Sequence, residues 1–269
     1  METERVIEPD GPSVEPVVLL PGMMCDARLF EPQILDLSRD RVVSVALPAN
    51  DIRIERIARL VLDQLPARFA LAGHGLGGMV AMEMVRRAPD RVTRLCLMDT
   101  NPLAETPAVA ASREPMIVAA RAGNLDEVLR ESIRPDHCAP GPAHVEVLNR
   151  VFEMGQDLGE EVFVAQSRAM QRRGDQQGTL RRCKLPTMVI CGEHDTLTPV
   201  KRHQFMSELM PNAQLRIIEG AGHLPMLEQP GAVNVALRDW LEMPTCEAET
   251  VPDTVWLGAE ARIHMGDAR

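Results

Sequence analysis

The chain has 269 residues, 45% of them hydrophobic, which is enough for one large domain with a sizeable core and an insertion but a tight fit for two independent domains. Lys and Arg number 29 against 39 Asp and Glu, and the net charge of -10 disfavours nucleic acid and anionic membranes as partners. The N-terminal segment is polar and acidic, and no apolar run approaches the roughly 20 residues of a membrane span, so we expect a cytoplasmic protein.

The first hundred residues alternate short apolar runs, which end in Gly or Pro, with longer segments of helical period. This alternation is typical of a mostly parallel sheet with crossover helices. It predicts, in chain order, a strand at 17–20, a helix at 28–37, a strand at 42–47, a helix at 54–65, a strand at 69–73, a helix at 76–87 and a strand at 94–99.

The pattern changes after residue 101. Residues 102–182 contain no convincing strand, only helical stretches at 113–122, 125–133, 143–154 and 160–171 that Gly and Pro interrupt. The alternation then resumes with a strand at 187–191, a helix at 200–210, a strand at 214–218 and a helix at 232–241. We therefore predict an α/β core formed by residues 1–101 and 183–242, a helical cap at 102–182 and a loosely attached tail at 243–269.

The six cysteines are scattered without a C-x-x-C pair, which indicates neither a zinc site nor a disulfide framework. We expect reduced thiols, no bound metal and no organic cofactor. A small-molecule substrate is then the expected partner.

The stretch from Gly73 to Gly78 reads GHGLGG and joins a predicted buried strand to a predicted helix. A nucleophile elbow places its central residue on such a sharp turn, with small residues two positions before and after it because larger side chains would collide there. Gly73 and Gly77 meet that demand, and Gly78 allows the helix to pack closely on the sheet. The helix start also directs backbone NH groups at the turn, which stabilises negative charge on a substrate oxygen.

A dinucleotide site is the first alternative, because glycine-rich turns also cradle phosphates. On spacing alone, GHGLGG fits G-x-G-x-x-G. However, the acidic residue expected about twenty positions further on is at best Asp99, at the end of a predicted strand.

Two later loops favour the elbow, because they carry an acid and a histidine at the carboxyl ends of strands, where open α/β sheets place their chemistry. Asp195 lies in CGEHDTLTP after the strand at 187–191, and His223 lies in EGAGHLP after the strand at 214–218. The chain order is thus elbow, acid, histidine. A dinucleotide fold gives no reason for the last two loops.

With these motifs, residues 15–242 resemble the α/β-hydrolase superfamily, in which the elbow commonly reads GHSLGG, the acid loop G-x-x-D-x-x-T-P and the last loop G-x-G-H. The resemblance implies an α/β-hydrolase fold with a helical cap that selects the substrate by shape. It also implies acyl transfer from an ester, thioester or lactone to water. In this chain the acid would be Asp195, the base His223, and the nucleophile position Gly75.

The resemblance further implies an oxyanion hole formed by the backbone NH groups of Met23 and Leu76. The chain departs from the pattern at Gly75, where relatives have serine, and more mildly at Pro21-Gly22, where many relatives have His-Gly. The fold is therefore strongly indicated, whereas the nucleophile of a serine hydrolase is missing.

A glycine at position 75 offers no oxygen for His223 to activate, although Asp195 can still orient the imidazole. Loss of the serine from a comparable triad lowers turnover by roughly a million-fold, while the oxyanion hole and binding contacts retain about 10³ to 10⁴ over water. None of the serines elsewhere is flanked by the required glycines. Cys25, just after the predicted oxyanion loop, is the remaining alternative nucleophile, against the simpler expectation of a small buried thiol.

Three hypotheses remain open. The chain is a serine hydrolase whose serine has been replaced, naturally or to trap a substrate. Alternatively, His223 and Asp195 act as a cofactor-free base on water or on the substrate itself, as in some relatives. Finally, the chain is a binding protein that keeps only the pocket.

Other titratable residues are assigned simpler roles. His74 and His194 are expected to face the scaffold or solvent, and Asp99 is an alternative acid because some superfamily members place the acid after that earlier strand. Three further histidines are expected to be inert on the surface, namely His137, His144 and His203.

Methionine is unusually frequent, with 16 residues against 5 phenylalanines and no tyrosine. Because methionine is flexible and polarisable, an adaptable apolar pocket is one interpretation and ordinary core filling is the other. Met23, already assigned to the oxyanion hole, lies near the predicted pocket. The predicted substrate contacts are Met24, Met79 and Met226.

Overall fold

A sheet of six parallel strands forms the centre of the computed structural model, which describes residues 14–49, 51–141 and 144–245. In chain order the strands are β1 (Val17–Leu20), β2 (Val43–Val45), β3 (Phe69–His74), β4 (Val92–Met98), β5 (Thr187–Gly192) and β6 (Ala213–Ile218). Their order across the sheet is β2-β1-β3-β4-β5-β6, with every neighbouring pair parallel. The predicted α/β class with a mostly parallel sheet is confirmed.

Helices connect the strands, as parallel pairing requires. The helices are α1 (Glu31–Leu37), α2 (Ile54–Leu62), α3 (Leu76–Arg87), α4 (Pro107–Arg121), α5 (Leu125–Ser132), α6 (His144–Gln171), α7 (Gln177–Arg182), α8 (Val200–Leu209), α9 (Pro225–Glu228) and α10 (Pro230–Glu242). Short 3₁₀ turns precede α1, β4 and α6. The predicted bounds of β1 and α3 match the observed ones, and the other predicted strands differ by a few residues at their ends.

The central strands bury both faces, because successive side chains of a strand point to opposite sides of the sheet. On β1, Val17 and Leu19 join one hydrophobic cluster, while Val18 and Leu20 join the other. The first cluster packs under α1 and α10 and includes the fully buried Trp240, whereas α2 and α3 cover the second. This two-sided burial explains why the strands read as short, nearly continuous apolar runs.

Between β4 and β5 the described residues form helices and no strand, as predicted. Helices α4, α5 and α6 pack on one another around a third hydrophobic cluster that includes Ile117 and Phe163. Helix α6 carries a kink at Gly159, where φ is 80°, so the two helices predicted at 143–154 and 160–171 are its two halves. Helix α4 begins six residues before the predicted start because Thr106 caps it and Pro107 occupies its first position.

Helix α7 had no counterpart among the predicted elements. It packs against α3 and α8 of the core, which lie on the same side of the sheet. The predicted tail begins at residue 243, and residues 246–269 lie outside the described residues. None of the helices that the structure describes combines the length and the apolar composition that a bilayer crossing requires.

Candidate active site

A sharp turn joins β3 to α3 at Gly75, whose φ of 51° and ψ of -115° are costly for a residue that carries a Cβ. The Gly75 amide donates a hydrogen bond to the Met98 carbonyl at 3.0 Å, which ties the turn to the end of β4. Two residues later, a Cβ on Gly77 would lie 2.1 Å from the Leu20 carbonyl oxygen. The glycines of GHGLGG thus let α3 start against the end of β1.

His223 and Asp195 meet at this edge of the sheet, from the loops that follow β6 and β5. His223 Nδ1 lies 2.9 Å from Asp195 Oδ2, and both residues are buried. In the neutral imidazole tautomer that donates its Nδ1 proton to the carboxylate, Nε2 is the acceptor nitrogen. The imidazole is therefore oriented as a base is in a triad.

The acid loop supplies Asp195 with further donors. The backbone NH groups of Leu197 and Thr198 donate to Asp195 Oδ1 at 2.8 and 2.9 Å, and the Thr198 hydroxyl donates to Oδ2 at 2.5 Å. Burial alone would raise the pKa of Asp195, but the neighbouring His223 and these hydrogen bonds outweigh it and hold the pKa below its usual value. Asp195 therefore stays ionised at neutral pH.

Position 75 faces the free nitrogen of this imidazole. A Cβ on Gly75 would lie 4.0 Å from His223 Nε2, and its nearest neighbour would be Gly22 Cα at 3.6 Å. These are ordinary van der Waals distances, so a small side chain fits there. An oxygen one bond beyond that Cβ would come within hydrogen-bond reach of Nε2.

Met23 and Leu76 line the cavity beside Gly75. In the part of the chain that the structure describes, neither backbone NH donates a hydrogen bond. The next residue, Met24, has φ of 54° and donates its NH to Gln166 Oε1 of α6 at 2.9 Å. Gln166, an inconspicuous polar residue in the sequence, thus fixes the loop that carries Met23.

His223 is fixed through its own backbone by two other histidines. Its NH donates to the His137 carbonyl at 2.7 Å, and its carbonyl accepts from His74 Nε2 at 2.9 Å. Burial and the nearby His223 lower the pKa of His74 to about 3, so its ring is neutral and structural. The expectation that His137 is a surface residue is wrong, because its side chain is buried against the site.

His203 also departs from the expected surface position, since it is fully buried on α8. Its Nε2 accepts a hydrogen bond from the Thr100 NH at 3.1 Å, and the Thr100 hydroxyl in turn donates to the Gly75 carbonyl at 2.6 Å. Burial lowers the pKa of His203 to about 4, which keeps the ring neutral and able to accept. His203 therefore supports the elbow from below, whereas His194 is partly exposed beside Glu193.

Asp99 lies directly under the pair, with φ of 41° and no exposed surface. One carboxyl oxygen accepts a hydrogen bond from the Gly192 NH at 2.9 Å. A carboxyl oxygen of Asp99 also lies within 4.8 Å of a carboxylate oxygen of Asp195 and of a ring nitrogen of His223. Burial and the Asp195 charge raise the pKa of Asp99 well above its usual value. His223 Nδ1 is bonded to Asp195, so the geometry favours Asp195 over Asp99 as the acid.

We expect Asp99→Asn to stabilise the folded chain at pH 8 more than at pH 4. An unfolded aspartate loses its proton near pH 3.9, whereas the buried Asp99 keeps it, so its contribution to folding declines as pH rises above about 4. Asparagine is neutral at both pH values and keeps the oxygen that Gly192 needs. Thermal unfolding of both proteins across this pH range measures the difference.

Asp195→Asn is the matched control with the opposite sign. The pKa of Asp195 is lowered in the fold, so its stabilisation is present above the unfolded pKa and is lost as pH falls. Removing that charge should destabilise the protein most at pH 8 and progressively less as pH falls below about 4. A stability difference between Asp99→Asn and the unaltered chain that does not grow from pH 4 to pH 8 would contradict the assignment of a neutral Asp99.

Among the residues that the structure describes, two groups of side chains have metal-ligand spacing, and both include Asp99. They are Asp99, Cys191 and His203, and Asp99, Asp195 and His223. Burial raises the pKa of the Cys191 thiol and keeps Asp99 protonated, whereas metal ligands must be deprotonated. The donor chemistry of these groups therefore does not favour a cation.

A cavity of about 910 Å³ opens above the elbow, between the sheet edge and helices α4 to α6. Gly75, His223, Met24 and Met79 lie in its wall with Met23 and Leu76, while Asp195 is behind His223. Met226 was predicted to contact the substrate, but its side chain does not line the cavity. It is fully buried in the core next to α10. Its position after His223 in sequence did not reveal that α9 turns it inward.

Cys25 lines the cavity but is only 3% exposed. Burial, with a smaller contribution from Asp26, raises the pKa of its thiol to about 12. A thiol in that state is a poor nucleophile, which supports the simpler expectation of a buried, inert cysteine.

Known proteins resemble this chain across most of its length. The sequence model of the alpha/beta hydrolase family matches residues 17–236. A pimeloyl-[acyl-carrier protein] methyl ester esterase of Nitrosomonas europaea is 24% identical over 236 residues, which cover 82% of this chain and 92% of that protein.

Solved structures share the same architecture. A thermophilic esterase from Thermogutta terrifontis superposes with a TM-score of 0.78 and 26% identity, covering 85% of this chain and 90% of that one. An enol-lactonase from Burkholderia xenovorans, with 22% identity and a TM-score of 0.75, covers 87% of this chain and 93% of that one and supports the fold alone.

Proposed function

The chain belongs to the alpha/beta hydrolase family, and on that premise we propose that its cavity binds an ester, thioester or lactone for acyl transfer to water. The observation that carries this proposal is that His223 Nε2 faces position 75. A Cβ on Gly75 would lie 4.0 Å from that nitrogen. A serine oxygen one bond beyond that Cβ would come within the hydrogen-bond distance that a nucleophile and its base require. The names of the relatives agree with ester chemistry.

Each polar group in the site then has a role. His223 is the general base and later the general acid, and Asp195 holds its Nδ1 proton and stabilises the charged ring. The backbone NH groups of Met23 and Leu76 stabilise the oxyanion that forms when the carbonyl is attacked. Helices α4 to α6 form the cap that shapes the cavity.

Gly75 decides what this form of the protein does. Without a side-chain oxygen no acyl-enzyme forms at this position, so turnover through the serine route is absent. We propose that the chain as it stands binds its substrate and hydrolyses it weakly or not at all, and that the rest of the catalytic site is intact.

A second candidate function is general-base hydrolysis of the substrate by water. It is favoured by the retained His223–Asp195 hydrogen bond and by the ordinary van der Waals distances around position 75. His223 Nε2 would take a proton from water as the water oxygen bonds to the acyl carbon. The proton would then pass to the departing alkoxide.

The test is to compare hydrolysis of short p-nitrophenyl esters by the unaltered chain and by the Gly75→Ser variant. A large gain on introducing serine supports the proposal. Equal activity of both proteins that disappears in His223→Ala supports the second candidate instead. Ligand binding without turnover in either protein contradicts both and indicates a binding protein.

A further inference from the structure

Two arginines and one glutamate form a charged cluster in the cavity wall, between the core and the helical cap. Glu105 lies in the loop before α4, Arg113 on α4 and Arg173 just after α6, and all three line the cavity. Arg113 binds the Glu105 carboxylate through Nε and Nη2, the latter at 2.7 Å, and Arg173 Nη1 lies 3.3 Å from the same carboxylate. We call these three residues the arginine cluster.

Among the described residues, Arg113 and Arg173 form ion pairs with no acid other than Glu105, so the arginine cluster carries one net positive charge. In the part of the chain that the structure describes, the partner of Arg113 Nη1 is the Met23 sulfur alone, at 3.9 Å. Among the described residues, no acceptor binds Arg173 Nη2. Two guanidinium ends in the cavity wall therefore retain donors for a ligand.

Burial makes this charge unusual. The side chains of Glu105 and Arg173 are 3% and 7% exposed, and that of Arg113 is 20% exposed. Burial and the neighbouring Arg113 lower the pKa of Arg173 to about 10, although Glu105 partly opposes them. A buried cation has lost hydrogen bonds to water, and an anion that accepts hydrogen bonds in their place stabilises it most.

The other arginines in the cavity wall, Arg130 and Arg134, are exposed to solvent. Arg134 forms a one-to-one ion pair with Asp136 at 3.0 Å, in an exposed position. Arg130 stacks over the Phe152 ring at 4.1 Å. In a chain with a net charge of -10, the arginine cluster is thus a local positive site beside the residue that supplies one of the proposed oxyanion donors.

We propose that the arginine cluster binds an anionic oxygen group, a carboxylate or a phosphate, on the substrate whose ester bond lies against Gly75 and His223. This inference rests on the proposed function for the position of the ester bond. Arg113 touches Met23, so the anionic group and the scissile carbonyl belong to one small molecule. A guanidinium fork binds either oxyanion with two parallel hydrogen bonds.

Binding to the unaltered chain tests the inference without any need for turnover. We expect calorimetry to show that monomethyl glutarate binds at least tenfold more tightly than dimethyl glutarate, from which it differs by one free carboxylate. Methyl 4-phosphonobutanoate tests the phosphate-like alternative on the same skeleton. Equal affinity for the neutral and the anionic esters would overturn the inference.

Variants locate the effect. Arg113→Gln and Arg173→Gln should each remove most of the preference for the anion, whereas Arg134→Gln, which lines the same cavity, should keep it. Glu105→Gln removes the negative charge that partly balances the two arginines and should leave anion binding as tight or tighter. Thermal unfolding shows whether each variant is folded, and an equal loss in Arg134→Gln would contradict the assignment.

Turnover by Gly75→Ser separates this inference from the proposed function. If the variant hydrolyses both glutarate esters with the same kcat/KM, the ester function stands and the anion site fails. If no ester is hydrolysed but the arginine-dependent preference persists in binding, the proposed function fails and the anion site stands.

Discussion

Gly75→Ser is expected to raise kcat for short p-nitrophenyl esters by at least about a thousand-fold, because loss of the serine from a comparable triad costs up to about a million-fold. The expected gain follows from geometry, since the serine Cβ would lie 4.0 Å from His223 Nε2 and 3.6 Å from its nearest neighbour. The hydroxyl then donates to Nε2 without moving either loop. Initial rates of p-nitrophenol release at pH 8 measure the effect.

Gly75→Ala is the matched control for this change. Alanine brings the same Cβ into the same backbone conformation, with φ of 51°, but no oxygen. Both substitutions should lower stability by about 1 to 3 kcal/mol, since this region favours glycine. Only serine should raise the rate, so a similar gain with alanine would rule out a nucleophilic role.

Removing the base from the serine variant tests the pairing. Gly75→Ser with His223→Ala should return the rate to that of the unaltered chain, because triad members act as a unit and their effects are not additive. Full activity in the double variant would show that the serine acts without His223. That outcome would contradict the proposed catalytic pair.

Gly77→Ala is expected to destabilise the fold by at least about 3 kcal/mol, which lowers the melting temperature by about 6 to 12 °C. Its Cβ would lie 2.1 Å from the Leu20 carbonyl oxygen and 2.6 Å from that of Pro21. Both are backbone atoms of β1 and the loop after it, so no side-chain rotation relieves the overlap. Helix α3 must move away from the sheet, taking the elbow with it.

Gly231→Ala provides the comparison in another helix. A Cβ on Gly231, in the first turn of α10, meets no atom within 4 Å. Replacing this glycine should be neutral or stabilising by up to about 1 kcal/mol, because alanine restricts the unfolded chain more. Thermal unfolding of the two variants under one condition distinguishes backbone overlap from a general intolerance of alanine.

The strands and α3 were predictable because burial on both faces and helical periodicity leave direct marks on the sequence. The proximity of Gly75, Asp195 and His223 was predictable for a related reason. Parallel strands bring their carboxyl ends to one edge, so residues that follow β3, β5 and β6 must lie close together. Position along the chain is enough to infer such a site.

The supporting contacts were not predictable, because they depend on which side of an element packs inward. His203 lies among charged and polar neighbours on α8, and only Met206, one turn later, shares its buried side. Gln166 looks like an ordinary polar residue of α6 until its amide is seen on the Met24 backbone. The protonation of Asp99 likewise requires knowledge of its distance from Asp195.

The contacts that Gln166 and His137 make tie the inserted segment to the alignment of the site. Gln166 fixes the backbone next to Met23, and the His137 carbonyl fixes the backbone of His223. Displacing the inserted segment to admit a ligand would break both hydrogen bonds and release the two halves of the site together. The insertion is thus no exchangeable module, and a chimera that takes this segment from a relative must also reproduce these two anchors.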